Sequence, residues 1–101
     1  MTRQSDAGAE TGGGIRRTVT VENRRGLHAR AAAKFVKVVG RYDADVSVRK
    51  DGQTVSGSSI MGLMMLTAAA GCKIELIASG RQALEAIDDL VRLVAGGFEE
   101  D

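Results

Sequence analysis

Apolar and polar residues alternate along four stretches of the chain, which is the pattern of half-buried β-strands. In the first stretch Ile15, Val19 and Val21 share one face, while threonines lie on the other. Asp51 followed by Gly52 is a strong signal for a tight hairpin turn, so the second and third strands should pair directly. The predicted strands cover residues 15–22, 44–50, 53–56 and 73–78.

Apolar residues at helical spacing predict three helices, at residues 29–40, 60–70 and 81–95. In the first helix the residues expected to face the core are Ala32, Phe35, Val36 and Val39. In the third helix they are Leu84, Ile87, Val91 and Val94. Gly71 and the glycines at 96–97 are expected to end the second and third helices, because glycine readily adopts the conformation that follows a helix end.

The second helix is apolar on nearly every side. Its core stripe is predicted to comprise Leu63, Leu66, Thr67 and Ala70. That assignment leaves four residues pointing elsewhere, namely Met61, Met64, Met65 and Ala68. A domain this small has difficulty burying a helix on all sides, so we predict an exposed docking patch. The alternative is a core that uses methionine as filler.

The predicted element order is β-α-β-β-α-β-α, with no internal repeat and no second domain. Four alternating strands favour a mostly antiparallel sheet with the helices packed on one face, which is an α+β fold. We expect residues 15–99 to form this single domain. Residues 1–14 are small, polar and without periodicity, so we expect a disordered tail, and residues 98–101 should form an acidic tail.

Composition narrows the function classes. A formal net charge of +1 argues against a nucleic-acid-binding protein, which usually has a strong basic bias. One cysteine and one histidine argue against a disulfide framework and a zinc site, and we expect no metal and no cofactor. The chain has no apolar run of about 20 residues and no apolar signal-peptide core. We therefore expect a cytoplasmic protein that is not embedded in a membrane.

His28, the only histidine, follows a predicted loop and precedes a predicted helix, with Arg30 two residues further on. Gly26 gives the backbone freedom just before it. Free N–H groups and the helix dipole favour an anion at a helix start. A neutral imidazole is a good nucleophile toward phosphorus, and a guanidinium can hold phosphoryl oxygens. The residues therefore suggest a phosphoryl group carried on His28, although a surface histidine near a helix start is an equal alternative.

Two further features surround this stretch. Basic residues recur along the first helix at Arg30, Lys34, Lys37 and Arg41. This basic stripe could be a solvated face, but its position beside His28 favours docking of an acidic partner. Ser58 or Ser59 is expected to cap the second helix.

Two motifs in this chain resemble those of HPr, the histidine-containing phosphocarrier family of the bacterial phosphoenolpyruvate:sugar phosphotransferase system. Residues 26–30, Gly-Leu-His-Ala-Arg, resemble the active-site motif of that family. Residues 59–64, Ser-Ile-Met-Gly-Leu-Met, resemble its regulatory-serine motif. Residues 42–46 and 78–80 also fit the family pattern, and the resemblance covers about residues 17–98.

The resemblance implies an open-faced β-sandwich, with a four-stranded antiparallel sheet and three helices on one side. It implies that His28 takes a phosphoryl group on Nδ1 from phosphorylated Enzyme I and passes it to IIA proteins or domains, with Arg30 contacting the phosphoryl group. It also implies that Ser59 is phosphorylated by an HPr kinase/phosphorylase where one exists. Partner docking is expected to involve Ala29, Lys37, Ile60, Met61 and Met64.

One position departs from the family pattern. Proline usually follows the active-site arginine, whereas this chain has Ala31 and contains no proline. Proline near a helix start fixes φ in advance, so we expect a looser first turn with the chemistry preserved.

The leading hypothesis is a monomeric relay protein for sugar uptake and its regulation, rather than an enzyme with its own substrate pocket. A second hypothesis is a regulatory phosphocarrier of the nitrogen-related phosphotransferase branch. A third is a protein-interaction module that uses only the face around Met61 and Met64. The presence of both His28 and Arg30 argues against the third, because that role needs neither residue.

Overall fold

The structure, a computed structural model, describes residues 14–100. The tail predicted at residues 1–14 therefore lies outside the described residues, apart from Gly14. Four strands form one antiparallel sheet in the order β1-β4-β2-β3. The strands are β1 (Ile15–Thr20), β2 (Asp45–Lys50), β3 (Gln53–Ser56) and β4 (Lys73–Ser79). The helices are α1 (Ala29–Val39), α2 (Ile60–Met65) and α3 (Ala83–Ala95), and a 3-10 turn covers Gly97–Glu99.

The predicted four-stranded antiparallel α+β architecture with three helices is confirmed. Alternation along the strands puts their apolar side chains on the covered face, where Val19 pairs with Ile74 and Val48 pairs with Leu76. The hairpin between β2 and β3 turns at Asp51 and Gly52, which both have positive φ, as a two-residue turn of this type requires.

The buried face of α3 differs from the predicted one. Leu84, expected in the core, is 51% exposed. The buried residues of the helix are Ala83, Ala86, Ile87, Leu90 and Val94. α3 packs against β1, β4 and α1. Its buried face includes two small alanines, so this face is rotated from the one predicted by side-chain size. In α1 a similar shift buries Ala31 and Val38 and leaves Val36 half-buried.

Helix α2 is shorter than predicted, because it ends at Met65 rather than continuing to residue 70. Thr67 has a φ of 50°, which breaks the helix, and Ala68 turns inward to become buried. Leu63 and Leu66 are buried as expected, whereas Thr67 and Ala70 are exposed. Gly71 consequently lies in the loop before β4 and does not end the helix.

Residues 98–100 pack against the domain instead of forming the predicted acidic tail, and Asp101 lies outside the described residues. Phe98 is fully buried among the core side chains. Phe98 and Glu99 both have positive φ, at 58° and 63°. Such a conformation costs a non-glycine residue about 1–2 kcal/mol, so it persists only where surrounding contacts impose it. The Phe98 contacts therefore determine where the following residue, Glu100, lies.

Candidate functional site

The loop before α1 is held by contacts on both sides. On one side, the buried Asn23 side chain donates from Nδ2 to the Gly26 carbonyl oxygen at 2.8 Å. On the other, the Leu27 N–H donates to the Ala68 carbonyl oxygen at 2.9 Å. Gly26 has a φ of +68°, and a Cβ there would lie 2.2 Å from the Ala68 oxygen. Only glycine fits this approach without rearrangement, and the loop delivers His28 to the start of α1.

His28 is the N-cap residue of α1, as its position in the sequence predicted. Its backbone is extended, and its carbonyl oxygen accepts the Ala32 N–H at 2.9 Å. Its imidazole makes no capping hydrogen bond, so the ring is not used to satisfy the helix end. No acidic residue occupies the first turn, where Arg30 is exposed. This helix start therefore favours an anion.

Glu100 contacts the histidine ring. Its Oε2 lies 2.8 Å from His28 Nε2, and its Oε1 accepts from Asn23 Nδ2 at 3.0 Å. The side chains of His28 and Glu100 are only 16% and 19% exposed. Among residues 14–100 no group forms a hydrogen bond with His28 Nδ1, so no described contact blocks this nitrogen from reacting. Sequence reasoning missed Glu100, because the residue lies 72 positions from His28 and no local pattern signals the contact.

The environment of Glu100 sets its charge state. Burial of the carboxyl raises its pKa, but hydrogen bonds from Asn23 and His28 outweigh that effect and bring the pKa below its ordinary value. The His28 ring, when it is protonated, and the ammonium group of Lys34 lower the pKa further. Glu100 is therefore a carboxylate at neutral pH, which accepts hydrogen bonds and donates none.

Cationic side chains lie beside Glu100. An open cavity of about 410 Å³ is lined by Arg24, Arg25, Arg30, Lys34, Glu99 and Glu100. Lys34 Nζ donates to the Phe98 carbonyl oxygen at 2.8 Å, which ties the basic stripe of α1 to the carboxy-terminal turn. Four cationic side chains and two carboxylates give this cavity a net positive charge, which suits a phosphoryl group or an acidic surface.

The exposed apolar surface predicted on α2 is present beside the histidine. It consists of Ile60, Met61, Met64 and Met65, with exposures of 41, 73, 42 and 62%. Met64 and His28 also line the same shallow cavity, so this methionine patch adjoins His28. Ala29 and Lys37 are exposed on α1, where a partner could reach them. Patches of this kind often mark surfaces that bind another protein.

Ser59 is the serine that caps α2. Its Oγ accepts the Gly62 N–H at 2.9 Å, whereas the neighbouring Ser58 is exposed and caps nothing. Ile60, the residue after Ser59, belongs to the methionine patch. Any charge added to Ser59 would therefore lie beside that patch.

Other site types have no support in the described part of the chain. Between residues 14 and 100, no group of three metal-ligating side chains comes together. The helices in that range are too short or too polar to cross a bilayer.

Comparisons with known proteins agree with this arrangement. The family described as "PTS HPr component phosphorylation site" matches residues 15–96. Phosphocarrier protein HPr of Pseudomonas putida is 47% identical over 85 residues, which are 83% of this chain and 94% of that protein. Phosphocarrier protein NPr of Klebsiella oxytoca is 40% identical over 88 residues, which are 86% of this chain and 98% of that protein. The crystal structure of HPr-C-His from Thermoanaerobacter tengcongensis superposes with a TM-score of 0.82 at 38% identity, covering 86% of this chain and 98% of that one.

Proposed function

The chain belongs to the PTS HPr family of phosphocarrier proteins, and on that premise we propose that His28 carries the phosphoryl group. The observation that supports this assignment best is the position of His28 at the N-cap of α1, with its Nδ1 unbonded among the described residues. The adjoining cationic cavity and methionine patch fit the same role.

In the proposed reaction the Nδ1 lone pair attacks phosphorus while the bond between phosphorus and the phosphorylated donor breaks. The electron pair of that bond returns to the donor, and the phosphoryl group rests on His28. The N–H groups of the first turn of α1 and the guanidinium of Arg30 stabilise its oxygens. Transfer to the acceptor reverses these steps, so the protein contributes mainly positioning and charge stabilisation.

The partners follow from family membership. We propose phosphorylated Enzyme I as the donor and IIA proteins or domains as acceptors, with the chain acting as a cytoplasmic monomer. Docking would bury the methionine patch, and Ala29 and Lys37 would contact the partner from α1. A relay protein needs fast release, so a modest apolar interface with a basic rim suits the task.

Ser59 is proposed as a regulatory phosphorylation site for an HPr kinase/phosphorylase. A phosphate there would carry about two negative charges at a helix start, which tolerates them, while opposing the docking of partners on the adjacent methionine patch. Regulation would then require no change of fold.

Sugar uptake and its regulation is the first candidate for the pathway, because the HPr relative of Pseudomonas putida is 47% identical. The nitrogen branch is the second, since the NPr relative of Klebsiella oxytoca is 40% identical over nearly its whole length. Incubating the phosphorylated chain with purified sugar-type and nitrogen-type IIA proteins separates the two, because the cognate acceptor should take the label faster.

The first test is phosphorylation from phosphoenolpyruvate through Enzyme I, followed by intact mass on wild type and His28→Ala. One acid-labile phosphoryl group is expected on wild type and none on the variant, since His28 is the only histidine. Arg30→Ala should be labelled more slowly. An unlabelled, folded wild-type chain with a competent Enzyme I would refute the carrier role and favour the interaction module.

A further inference from the structure

We propose that Glu100 is a positioning residue for phosphoryl transfer, which holds the His28 ring through Nε2 and presents Nδ1 to phosphorus. The inference rests on the proposed role of His28. It assigns to the carboxy-terminal segment a part in the reaction that the motif around the histidine does not contain.

The contact is built into the fold. Glu100 bonds His28 with one carboxylate oxygen and Asn23 with the other, at 2.8 and 3.0 Å. Asn23 is 1% exposed and also bonds the Gly26 carbonyl oxygen in the loop that carries His28. The buried Asn23 amide thus holds both the loop that carries His28 and the carboxylate that contacts the His28 ring.

The backbone before Glu100 is anchored as well. Phe98 is fully buried, and its carbonyl oxygen accepts the Lys34 Nζ hydrogen at 2.8 Å. Gly97 is also buried, with a φ of +70°. The turn therefore presents Glu100 from a rigid base, as required of a group that orients another side chain.

The hydrogen-bonding capacities decide which ring nitrogen is free. A carboxylate only accepts, so the ring must place its single N–H of the neutral form on Nε2. The lone pair then lies on Nδ1, the atom with no partner among residues 14–100. A carboxylate that orients a histidine in this way is a recurring device in nucleophilic catalysis and metal binding.

The same carboxylate stabilises the charge that the reaction creates. As the Nδ1–P bond forms and the bond from phosphorus to the donor breaks, no proton leaves the ring, because the N–H stays on Nε2. The ring gains positive charge, which lies 2.8 Å from the Glu100 oxygen. When the phosphoryl group moves to the acceptor, the electron pair returns to Nδ1 and that charge is lost.

Glu99 provides a matched control. It lines the same cationic cavity as Glu100, together with Arg24, Arg25, Arg30 and Lys34, but it is exposed and bonds neither His28 nor Asn23. Replacing Glu99 changes the charge of the cavity by the same amount without removing the contact to the ring. Comparing the two positions separates orientation of His28 from the general field.

The experiment uses the full chain as wild type, Glu100→Ala, Glu100→Gln and Glu99→Ala. Nitrogen-15 NMR of the single histidine, at a pH where the ring is neutral, reports which nitrogen carries the proton. Phosphorylation by Enzyme I, followed by intact mass, reports the initial rate. Thermal unfolding monitored by circular dichroism checks that each variant is folded.

We expect the Nε2–H form to dominate in wild type and in Glu99→Ala. Glu100→Ala should mix the two ring forms and slow phosphorylation on the order of tenfold. Glu100→Gln offers one acceptor oxygen to two donors, His28 Nε2–H and Asn23 Nδ2–H, so it should keep only part of the Nε2–H preference and only part of the rate. It also serves as the folded comparison should the alanine variant be unstable.

The proposal would be overturned if Glu100→Ala kept the wild-type ring form and the wild-type rate of phosphorylation. It would also be overturned if Glu99→Ala slowed phosphorylation as much as Glu100→Ala does. If the alanine variant does not fold, a wild-type rate in Glu100→Gln together with the Nδ1–H form would overturn it. These outcomes concern Glu100 only, provided that wild type is labelled on His28. Absence of that label would instead refute the proposed function, while the ring form still reports whether Glu100 orients His28.

Discussion

The backbone conformation of one residue, Gly26, determines where the candidate nucleophile His28 lies. Gly26 needs a positive φ and also needs the space that a side chain would occupy, because its Cα faces the Ala68 carbonyl. That carbonyl accepts the Leu27 N–H, one residue before His28. The loop before α1 and the segment after α2 are therefore joined at one point, and the geometry of His28 depends on it.

Gly26→Ala should accordingly destabilise the protein by at least about 3 kcal/mol, since a clash adds to the cost of a positive φ. Gly52→Ala is the matched control. Gly52 also has a positive φ, of +82°, but nothing lies within 4 Å of its Cβ position. The control should lose only about 1–2 kcal/mol.

Urea unfolding of both variants measures the difference. Equal losses would mean that the loop moves to accommodate the methyl group. In that case the contact between Gly26 and Ala68 would not be what fixes His28.

The sequence predicted His28 but missed Glu100, for a physical reason. A glycine, a histidine and a helix start are neighbours in the chain, so their relation is local and leaves a readable pattern. Glu100 reaches the ring only because Phe98 fills the core and Lys34 holds its carbonyl oxygen. Such a long-range contact leaves no periodic signal, and an acidic chain end is usually solvated.

At the scale of whole elements, tertiary contacts outweigh helix propensity at the end of α2. A run of three alanines favours helix, yet the helix ends at Met65 and Ala68 turns toward the loop that carries His28. The number of helices and strands followed from periodicity. The end of α2 and the rotation of α3 did not, because both depend on which neighbour each helix meets.

Because Ser59 caps α2, substitutions at this position can add a negative charge while keeping the capping hydrogen bond. Asn and Asp cap helices about as well as serine, so Ser59→Asn and Ser59→Asp should each change the unfolding free energy by no more than about 0.5 kcal/mol. Only the aspartate places a negative charge beside Ile60 and the methionine patch. Ser59→Asp should therefore slow phosphorylation of His28 on the order of tenfold, and Ser59→Asn should not.

Initial rates with Enzyme I, together with urea unfolding, test this pair. An unchanged rate in the aspartate variant would contradict regulation by charge at this position. Equal slowing in both variants would indicate a steric effect instead.

At the scale of the molecule, the fold places two helix starts on the same working surface. α1 begins at His28, α2 begins next to Ser59, and the methionine patch on α2 reaches the histidine cavity through Met64. α1 packs between α3 and α2, and α2 also contacts β3, so packed neighbours hold both helices in place. His28, Arg30 and Glu100 thus adjoin the methionine patch without belonging to it, so substitutions in the patch should affect docking and leave the chemistry largely unchanged.

Met61 tests that separation, because it is 73% exposed and makes little contribution to the core. Met61→Asp should leave the unfolding free energy within about 0.5 kcal/mol of wild type. It should raise the KM for phosphorylation by Enzyme I about tenfold or more, since a charge replaces an apolar anchor in the interface. The kcat should change much less, because the ring, Arg30 and Glu100 are untouched.

Leu84→Asp, on α3, is the control for Met61→Asp, on α2. Leu84 is an apolar residue of α3 that is 51% exposed and lies outside the methionine patch. If docking uses the patch, this substitution should leave both KM and kcat unchanged. Equal increases of KM in the two variants would indicate a general effect of negative charge on encounter with Enzyme I. A normal KM in Met61→Asp would remove the methionine patch from the docking surface and leave the basic stripe of α1 as the surface to test.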